Sequence, residues 1–330
     1  MGSLQANTIR RLITISAVYA CLVSFTTLLP ILLPLGALVD AARWVNARTP
    51  AMALRMGAFA WYYLLGEAWA ILALAIVGLL RRHRAIDWTY RAQKVWLDWN
   101  FDALRMSFGL TFVEEGASGI PPGPILLLSR HASMIDTMLP GRYVVKPHGI
   151  KLRYVLKKEL LIDPALDIGG NRLPNYFIDR RGTAQAEMAA LRELATGLAA
   201  DEGVLIYPEG TRYSEEKRVK YSRHWVDQGG PIGEIVAGYR RVLPPRPGGT
   251  LALLEASVAD VVVLAHRGLE GFARVKDMWS GGLVGTRVEL KFWRVSRSAI
   301  PKDDESRLRW LFELWADVDA WVTGPEATNR

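Results

Sequence analysis

A histidine and an aspartate five positions apart, His131 and Asp136, follow directly on an apolar run at residues 125–128. An imidazole can act as a general base near neutral pH, and a neighbouring carboxylate can fix its tautomer. Five residues of an ideal helix turn about 500°, which separates two such side chains by roughly 140°. We therefore expect His131 at the bend where a strand ends and Asp136 in the turn that follows.

Two arginines follow other apolar runs. Arg212 ends the segment YPEGTR, which begins at Tyr207, and Arg180 ends the segment FIDR, which begins at Phe177. If each run is a strand, both arginines belong at the same rim of the sheet as His131. A guanidinium group binds phosphate bidentately, although a surface ion pair is the alternative for either arginine alone.

Taken in order, the His-x4-Asp pair, the FIDR segment and the PEGTR segment resemble the motifs of the glycerolipid acyltransferases, typified by 1-acylglycerol-3-phosphate acyltransferases. The resemblance runs from about Pro121 to Val322. It is closest to the branch of lysocardiolipin and related lysophospholipid acyltransferases, because EKR at residues 216–218 and LPPR at residues 243–246 follow the PEGTR segment. Arg130 departs from the family pattern, in which asparagine commonly precedes the histidine, and residues 215–250 form a long insert.

This resemblance implies a reaction and a role for each residue. His131 would be the general base and Asp136 its orienting carboxylate, and the acyl group would pass directly to the acceptor without an acyl-enzyme. The residues that would bind the glycerophosphate are Lys157, Arg180, Glu209, Gly210, Thr211 and Arg212. The donor would be acyl-CoA or acyl carrier protein, with no metal and no further cofactor. The acceptor would be a lysophospholipid. The resemblance favours 1-acylglycerol-3-phosphate, and lysocardiolipin and lysophosphatidylinositol are the alternatives.

Other functional classes fit the sequence less well. Ser129 and Ser133 raise the alternative of a serine hydrolase, but the chain contains no Gly-x-Ser-x-Gly segment. A non-catalytic lipid-binding scaffold is disfavoured because the histidine, the aspartate and both arginines are present. The net charge of +8 suits a phosphate-bearing partner or an anionic membrane surface. We find no nucleic-acid-binding motif, and Cys21, the only cysteine, excludes an intrachain disulfide.

The N-terminal region predicts a membrane anchor. Residues 12–39 carry no charge and residues 56–80 carry only Glu67, so each run is long enough to cross a bilayer. We expect a helical hairpin that spans the membrane or dips into one leaflet, with a bend at Pro30 and Pro34. Basic residues outside both runs favour a cytoplasmic catalytic domain, at the bacterial inner membrane or the endoplasmic reticulum.

The remaining pattern predicts an α/β fold with a mixed sheet flanked by helices. We assign residues 1–85 to the membrane hairpin, residues 86–117 to an interfacial amphipathic helix and linker, and residues 118–330 to the acyltransferase domain. Strands are expected at residues 125–128, 154–156, 176–178, 204–207, 261–265 and 288–295. The clearest helices are expected at residues 184–200 and 305–322.

Overall fold

The computed structural model describes residues 2–178 and 183–324 of the chain. The α-helices in these residues are α1 (Gly2–Ala47), α2 (Ala53–Leu80), α3 (Ala85–Phe108), α4 (Lys146–His148), α5 (Pro164–Arg172), α6 (Ala184–Ala195), α7 (Glu215–Gln228), α8 (Gly230–Ala237), α9 (Pro247–Ala256), α10 (Val275–Met278) and α11 (Asp304–Thr323). The strands are β1 (Thr111–Glu115), β2 (Ile125–Ser129), β3 (Lys151–Lys157), β4 (Tyr176–Ile178), β5 (Glu202–Ile206), β6 (Asp260–Arg267) and β7 (Arg287–Val295).

The chain forms two compact units that do not coincide with simple sequence segments. The first unit comprises residues 1–111, 156–179 and 278–286, and the second comprises residues 112–155, 180–277 and 287–330. The boundaries that we assigned from the sequence remain a prediction.

In the first unit, α1 and α2 form an antiparallel hairpin. The Tyr19 hydroxyl donates to the carbonyl of Ala68 (3.0 Å), and Trp61 Nε1 donates to the Thr26 hydroxyl (3.0 Å). The residue later in α1, Thr26, thus contacts the residue earlier in α2, Trp61, as antiparallel helices require. Both helices are apolar and long enough to cross a membrane. The helix α1 is continuous through Pro30 and Pro34 and ends at neither proline.

A buried aspartate closes the turn of this hairpin. Asp40, in α1, accepts hydrogen bonds from the backbone N–H groups of Met52 (2.8 Å), Ala53 (2.8 Å) and Leu54 (3.0 Å) at the start of α2. The first N–H groups of a helix have no partner within the helix. Asp40 therefore caps α2 from the preceding helix and fixes where the chain turns.

The helix α3 packs on α2 through one face and leaves an apolar stripe exposed. Trp96 Nε1 donates to Glu67 in α2 (2.8 Å), and Trp99 Nε1 donates to the carbonyl of Tyr62 (2.8 Å). Val95 and Met106 are 49 % and 60 % exposed. An exposed apolar stripe on a helix that follows an apolar hairpin is typical of an interfacial helix.

In the second unit, three parallel strands bring the predicted motifs together. The described strands follow the order β1-β7-β6-β2-β5-β3-β4. The last two residues of β3, Leu156 and Lys157, and all of β4 belong to the first unit. β2 lies between β5 and β6, parallel to both, with Leu127 opposite Leu205 and Val262. β7 is antiparallel to β6. This arrangement confirms the mixed sheet flanked by helices.

Because parallel strands end at one edge of the sheet, the segments after β2, β5 and β6 meet there. These segments contain the His131–Asp136 pair, the PEGTR segment and residues 268–273. Every residue of β2 is fully buried, which explains why an uninterrupted apolar run leads to His131.

The insert between the PEGTR segment and β6 folds into three helices, α7, α8 and α9. α7 packs on α8, α8 packs on α11, and α6 packs on α9. Asp319 of α11 accepts hydrogen bonds from the backbone N–H groups of Arg240 (3.0 Å) and Val242 (3.0 Å). The Tyr239 hydroxyl donates to the carbonyl of Phe312 (2.7 Å). α11 thus holds the loop at residues 239–242 in one position.

Candidate active site

The side chains of His131 and Asp136 meet as their spacing predicts. His131 Nδ1 lies 2.9 Å from Asp136 Oδ1. The other carboxylate oxygen of Asp136 accepts hydrogen bonds from the backbone N–H groups of Ala132 (2.6 Å) and Ser133 (2.7 Å). Since Nδ1 faces a carboxylate, the neutral ring carries its proton there. Nε2 is then free to accept a proton from a substrate.

Asp136 is fully buried and stays ionised. Burial alone would raise its pKa, but the charge and hydrogen bond of His131 and the hydrogen bond of His266 together hold the pKa well below its usual range. A permanent negative charge beside Nδ1 stabilises the imidazolium that forms when Nε2 takes a proton. The pair is therefore arranged as a base and its orienting carboxylate.

His266, at the end of β6, is a further member of this group that the sequence did not identify. Its Nε2 lies 3.3 Å from Asp136 Oδ2 and 3.2 Å from the carbonyl oxygen of Arg130. Both neighbours are acceptors, so Nε2 carries the proton. Sequence reasoning treats His266 as structural or solvated because it has no partner at metal-ligand spacing. The signal that could have identified it is its position at the end of a predicted strand parallel to β2.

Arg130 lies entirely inside the protein and joins three segments. Its guanidinium donates to the carbonyls of His266 (2.7 Å) and Arg241 (2.7 Å) and pairs with Glu270. A buried arginine of this kind holds backbone in place and offers no free charge to a substrate. The departure from the family pattern at this position is therefore accommodated by the loop that contains Arg241.

Glu209, in the PEGTR segment, holds the backbone of the histidine. Its Oε1 accepts from the N–H of His131 (2.9 Å) and its Oε2 accepts from the N–H of Leu243 (3.0 Å). Burial raises the pKa of Glu209 to about 7, although the nearby Arg130 charge and both N–H donors act in the opposite direction. One side chain thus fixes His131 and the insert to the end of β5.

The rest of the PEGTR segment forms a tight turn next to several cations. Gly210 adopts a φ of +66°, and a Cβ there would lie 2.8 Å from Arg246 Cδ, so the turn requires glycine. Lys217 Nζ donates to the Thr211 hydroxyl (3.1 Å) and to the carbonyl of Arg212 (2.8 Å). Arg212 donates to the carbonyl of Ala273. The predicted Thr211 and Arg212 therefore lie in a local excess of positive charge.

The other two predicted phosphate ligands are not in this group of described contacts. Lys157 ends β3 within the first unit. Arg180 belongs to residues 179–182, which lie outside the described residues. Their roles remain predictions.

Comparison with known proteins relates the segment that contains this geometry to a family of acyltransferases. Residues 112–265 match the family model described as Acyltransferase, and this span contains both the His131–Asp136 pair and the PEGTR segment. This segment is therefore similar to that acyltransferase family. The matched span ends at residue 265, so the next residue, His266, lies just beyond it.

A curated relative and a solved structure are also similar to this chain. The chain is 31 % identical over 173 residues to a 1-acyl-sn-glycerol-3-phosphate acyltransferase of Pseudomonas aeruginosa, a match that spans 49 % of this chain and 62 % of the relative. The crystal structure of the 1-acyl-sn-glycerophosphate acyltransferase PlsC from Thermotoga maritima has the same fold, with a TM-score of 0.54 at 15 % identity. That likeness covers 82 % of this chain and 97 % of the other.

Proposed function

We propose that this protein is a membrane-bound acyltransferase. It moves a fatty acyl group from acyl-CoA or acyl carrier protein to the free hydroxyl of a lysophospholipid, 1-acylglycerol-3-phosphate, to give phosphatidic acid. The observation that carries the proposal is the 2.9 Å contact between His131 Nδ1 and Asp136, which leaves Nε2 to face a substrate. The match to the family model and the activity for which the Pseudomonas aeruginosa relative is named support the substrate class.

The chemistry follows from this pair. His131 Nε2 takes the proton of the acceptor hydroxyl while the oxygen of that hydroxyl attacks the carbonyl carbon of the thioester. The carbon–sulfur bond then breaks, the thiolate leaves, and the imidazolium returns the proton to the sulfur. Asp136 stabilises the imidazolium between these two proton transfers. No step needs a side chain that forms a covalent bond to the acyl group.

The cations in and near the PEGTR segment suit an acceptor that carries a phosphate. Arg212 supplies a guanidinium next to the turn at Gly210, and Lys157 and Arg180 complete the predicted set. A charge-assisted contact to a phosphate oxygen is about 2.7–2.9 Å long and roughly twice as strong as a neutral hydrogen bond. Lysocardiolipin and lysophosphatidylinositol also carry phosphate, as phosphodiesters, and are the alternative acceptors.

The apolar hairpin supports a membrane location. Both acceptor and product keep their acyl chains in a bilayer, and two apolar helices followed by an exposed apolar stripe on α3 provide an anchor there. We place the catalytic domain on the cytoplasmic side, because basic residues flank the apolar runs and such residues favour the cytoplasmic face of a membrane.

The test is an assay of the purified protein with labelled palmitoyl-CoA or palmitoyl carrier protein and a panel of lysolipids. We expect transfer to 1-acylglycerol-3-phosphate and a fall of about 10²–10⁴ in turnover for His131→Ala, the range for loss of a general base. The exposed His83 provides the matched control, His83→Ala. Thiol release without a lysolipid product would identify a thioesterase, and the absence of any turnover would identify a scaffold.

A further inference from the structure

A cleft lies between α7 and the proline-rich loop that leads into α9. Its volume is about 530 Å³, within the range of small-molecule sites. The apolar wall is formed by Met188, Trp225 and the prolines Pro244, Pro245 and Pro247. Lys220, His224 and Arg246 form the polar part of the lining. Apolar and aromatic walls beside two cations suit an organic phosphate with a flat, apolar body.

The cleft adjoins the PEGTR segment through one face of α7. Lys217, Tyr221 and Trp225 are four residues apart and therefore share this face. Lys217 holds Thr211 and Arg212, and Tyr221 lies below the guanidinium of Arg246, whose Cζ is 5.4 Å from the ring centroid. From Lys217 to Trp225 the helix rises about 12 Å. The face thus leads from the PEGTR turn into the cleft.

Positive charge accumulates along this face. Burial lowers the pKa of Lys217, and the charges of Arg212, Arg246 and Arg274 lower it further, which shows how close these four groups lie. Arg274 pairs with Asp277, but among the described residues no acidic side chain pairs with Lys217 or Arg246. Cations without acidic partners gain by binding an anion.

We propose that this cleft binds the adenosine 3′,5′-bisphosphate end of acyl-CoA, the acyl donor of the proposed function. Trp225 and Tyr221 provide aromatic surface for the adenine ring, because every base can stack on an aromatic side chain. Arg246, Lys217 and Lys220 neutralise the phosphates. The inference rests on the proposed function only for the identity of the donor, since the residues of the cleft take no part in the proton transfers and bond changes at His131.

Distance along α7 favours the donor over the acceptor. The acceptor's phosphate is joined to its reacting hydroxyl by a glycerol unit alone, so it must bind close to His131. The nucleotide of acyl-CoA is joined to its thioester by the long pantetheine arm and can bind two helical turns from the PEGTR turn. The cleft is therefore placed for the nucleotide.

The test compares two donors, palmitoyl-CoA and S-palmitoyl-pantetheine, which lacks the nucleotide. The variant is Lys220→Glu, which reverses an exposed charge in the cleft lining, and the matched control is Arg223→Glu on the same helix outside the lining. We expect Lys220→Glu to raise KM for palmitoyl-CoA about tenfold, the order expected for one lost charge-assisted contact. KM for S-palmitoyl-pantetheine and for the lysolipid should change no more than in Arg223→Glu.

Direct titration of CoA into each protein provides a second measurement that needs no turnover. We expect wild type and Arg223→Glu to bind CoA with similar affinity and Lys220→Glu to bind it about tenfold more weakly. Equal effects on both donors, an effect confined to the lysolipid, or no CoA binding by wild type would each overturn the proposal. Loss of transfer with CoA binding intact would instead contradict the proposed function alone.

Discussion

At the level of single residues, Asp136 is held on both oxygens before any substrate arrives. One oxygen faces His131, and the other accepts from two backbone N–H groups and from His266. Catalytic side chains that are fixed in advance need no rearrangement during the reaction. The fixed carboxylate in turn gives His131 one ring orientation and one tautomer.

His266 should therefore act as a positioning residue. His266→Leu removes the donor to Asp136 and one of the causes that lower the pKa of this carboxyl, so the acid limb of the kcat–pH profile should move to higher pH. We expect a loss of about tenfold in kcat, because the two backbone donors remain. His266→Gln, which retains an N–H donor, should restore most of it. An equal loss in both variants with an unchanged pH profile would mean that His266 serves packing alone.

Glu209 should make stability depend on pH. Its pKa in the fold is about 7, above the usual 4.5, so the fold favours the protonated form. The resulting stabilisation is complete below about pH 4.5 and is lost as the pH rises through 7, by about 3 kcal/mol at most. Glu209→Gln has no group that titrates. The measurement is the melting temperature of both proteins from pH 5 to pH 8.

We expect the melting temperature of wild type, relative to Glu209→Gln, to fall across this range. The comparison uses the change in melting temperature with pH and not its value at one pH, because the glutamine amide places a donor against one of the two N–H groups that Glu209 accepts from. Parallel pH curves for the two proteins would show that Glu209 does not titrate in this window.

The sequence was informative about His131 and Asp136 because the two residues are near neighbours along the chain. Their meeting needs only a strand end and one turn. His266 and Leu243 are far from His131 in sequence, and their contacts depend on the order of strands in the sheet. Sequence periodicity indicates that strands exist, but it carries no information about which strands are neighbours.

At the level of elements, the six predicted strands are all present, with ends that differ by up to three residues. β1 was missed because its sequence, TFVEE, is polar and mostly exposed at the edge of the sheet. The helices of the insert were missed for two reasons. α7 has few apolar residues and little buried surface, and α8 begins with glycine and proline. The capping serine before α7, Ser214, with Glu215 and Glu216 in the first turn, was a usable signal.

The turn of the hairpin gives a prediction at this level. Asp40→Ala leaves three backbone N–H groups at the start of α2 without their acceptor, and a lost cap costs about 0.5–2 kcal/mol. The variant should therefore melt at a lower temperature in detergent. A cysteine pair at Thr26 and Trp61 should also cross-link more slowly, because the two helices separate more often.

Val39→Ala, at the exposed position next to Asp40, is the matched control and should melt like wild type. A similar melting temperature for Asp40→Ala would mean that water or lipid headgroups replace the carboxylate.

At the level of the whole molecule, the apolar hairpin should determine where the protein resides. A variant without residues 1–80 should lose its sedimentation with membranes or become insoluble, because the exposed apolar surface of the hairpin has no counterpart in a soluble domain. The measurement is ultracentrifugation of lysates with and without detergent. A truncated protein that is soluble, monomeric and fully active on a long-chain lysolipid would show that the hairpin is dispensable.

The double contact of Glu209 also bears on protein synthesis. The backbone of His131 is fixed by Glu209, and Glu209 is itself fixed by Leu243. During translation, His131 leaves the ribosome long before either partner exists. A nascent chain that ends before residue 243 should therefore have its hairpin available for insertion while its histidine has no fixed backbone. Under the proposed function, membrane insertion would then precede the first turnover, and the protein would not act on cytosolic thioesters before it reaches the bilayer.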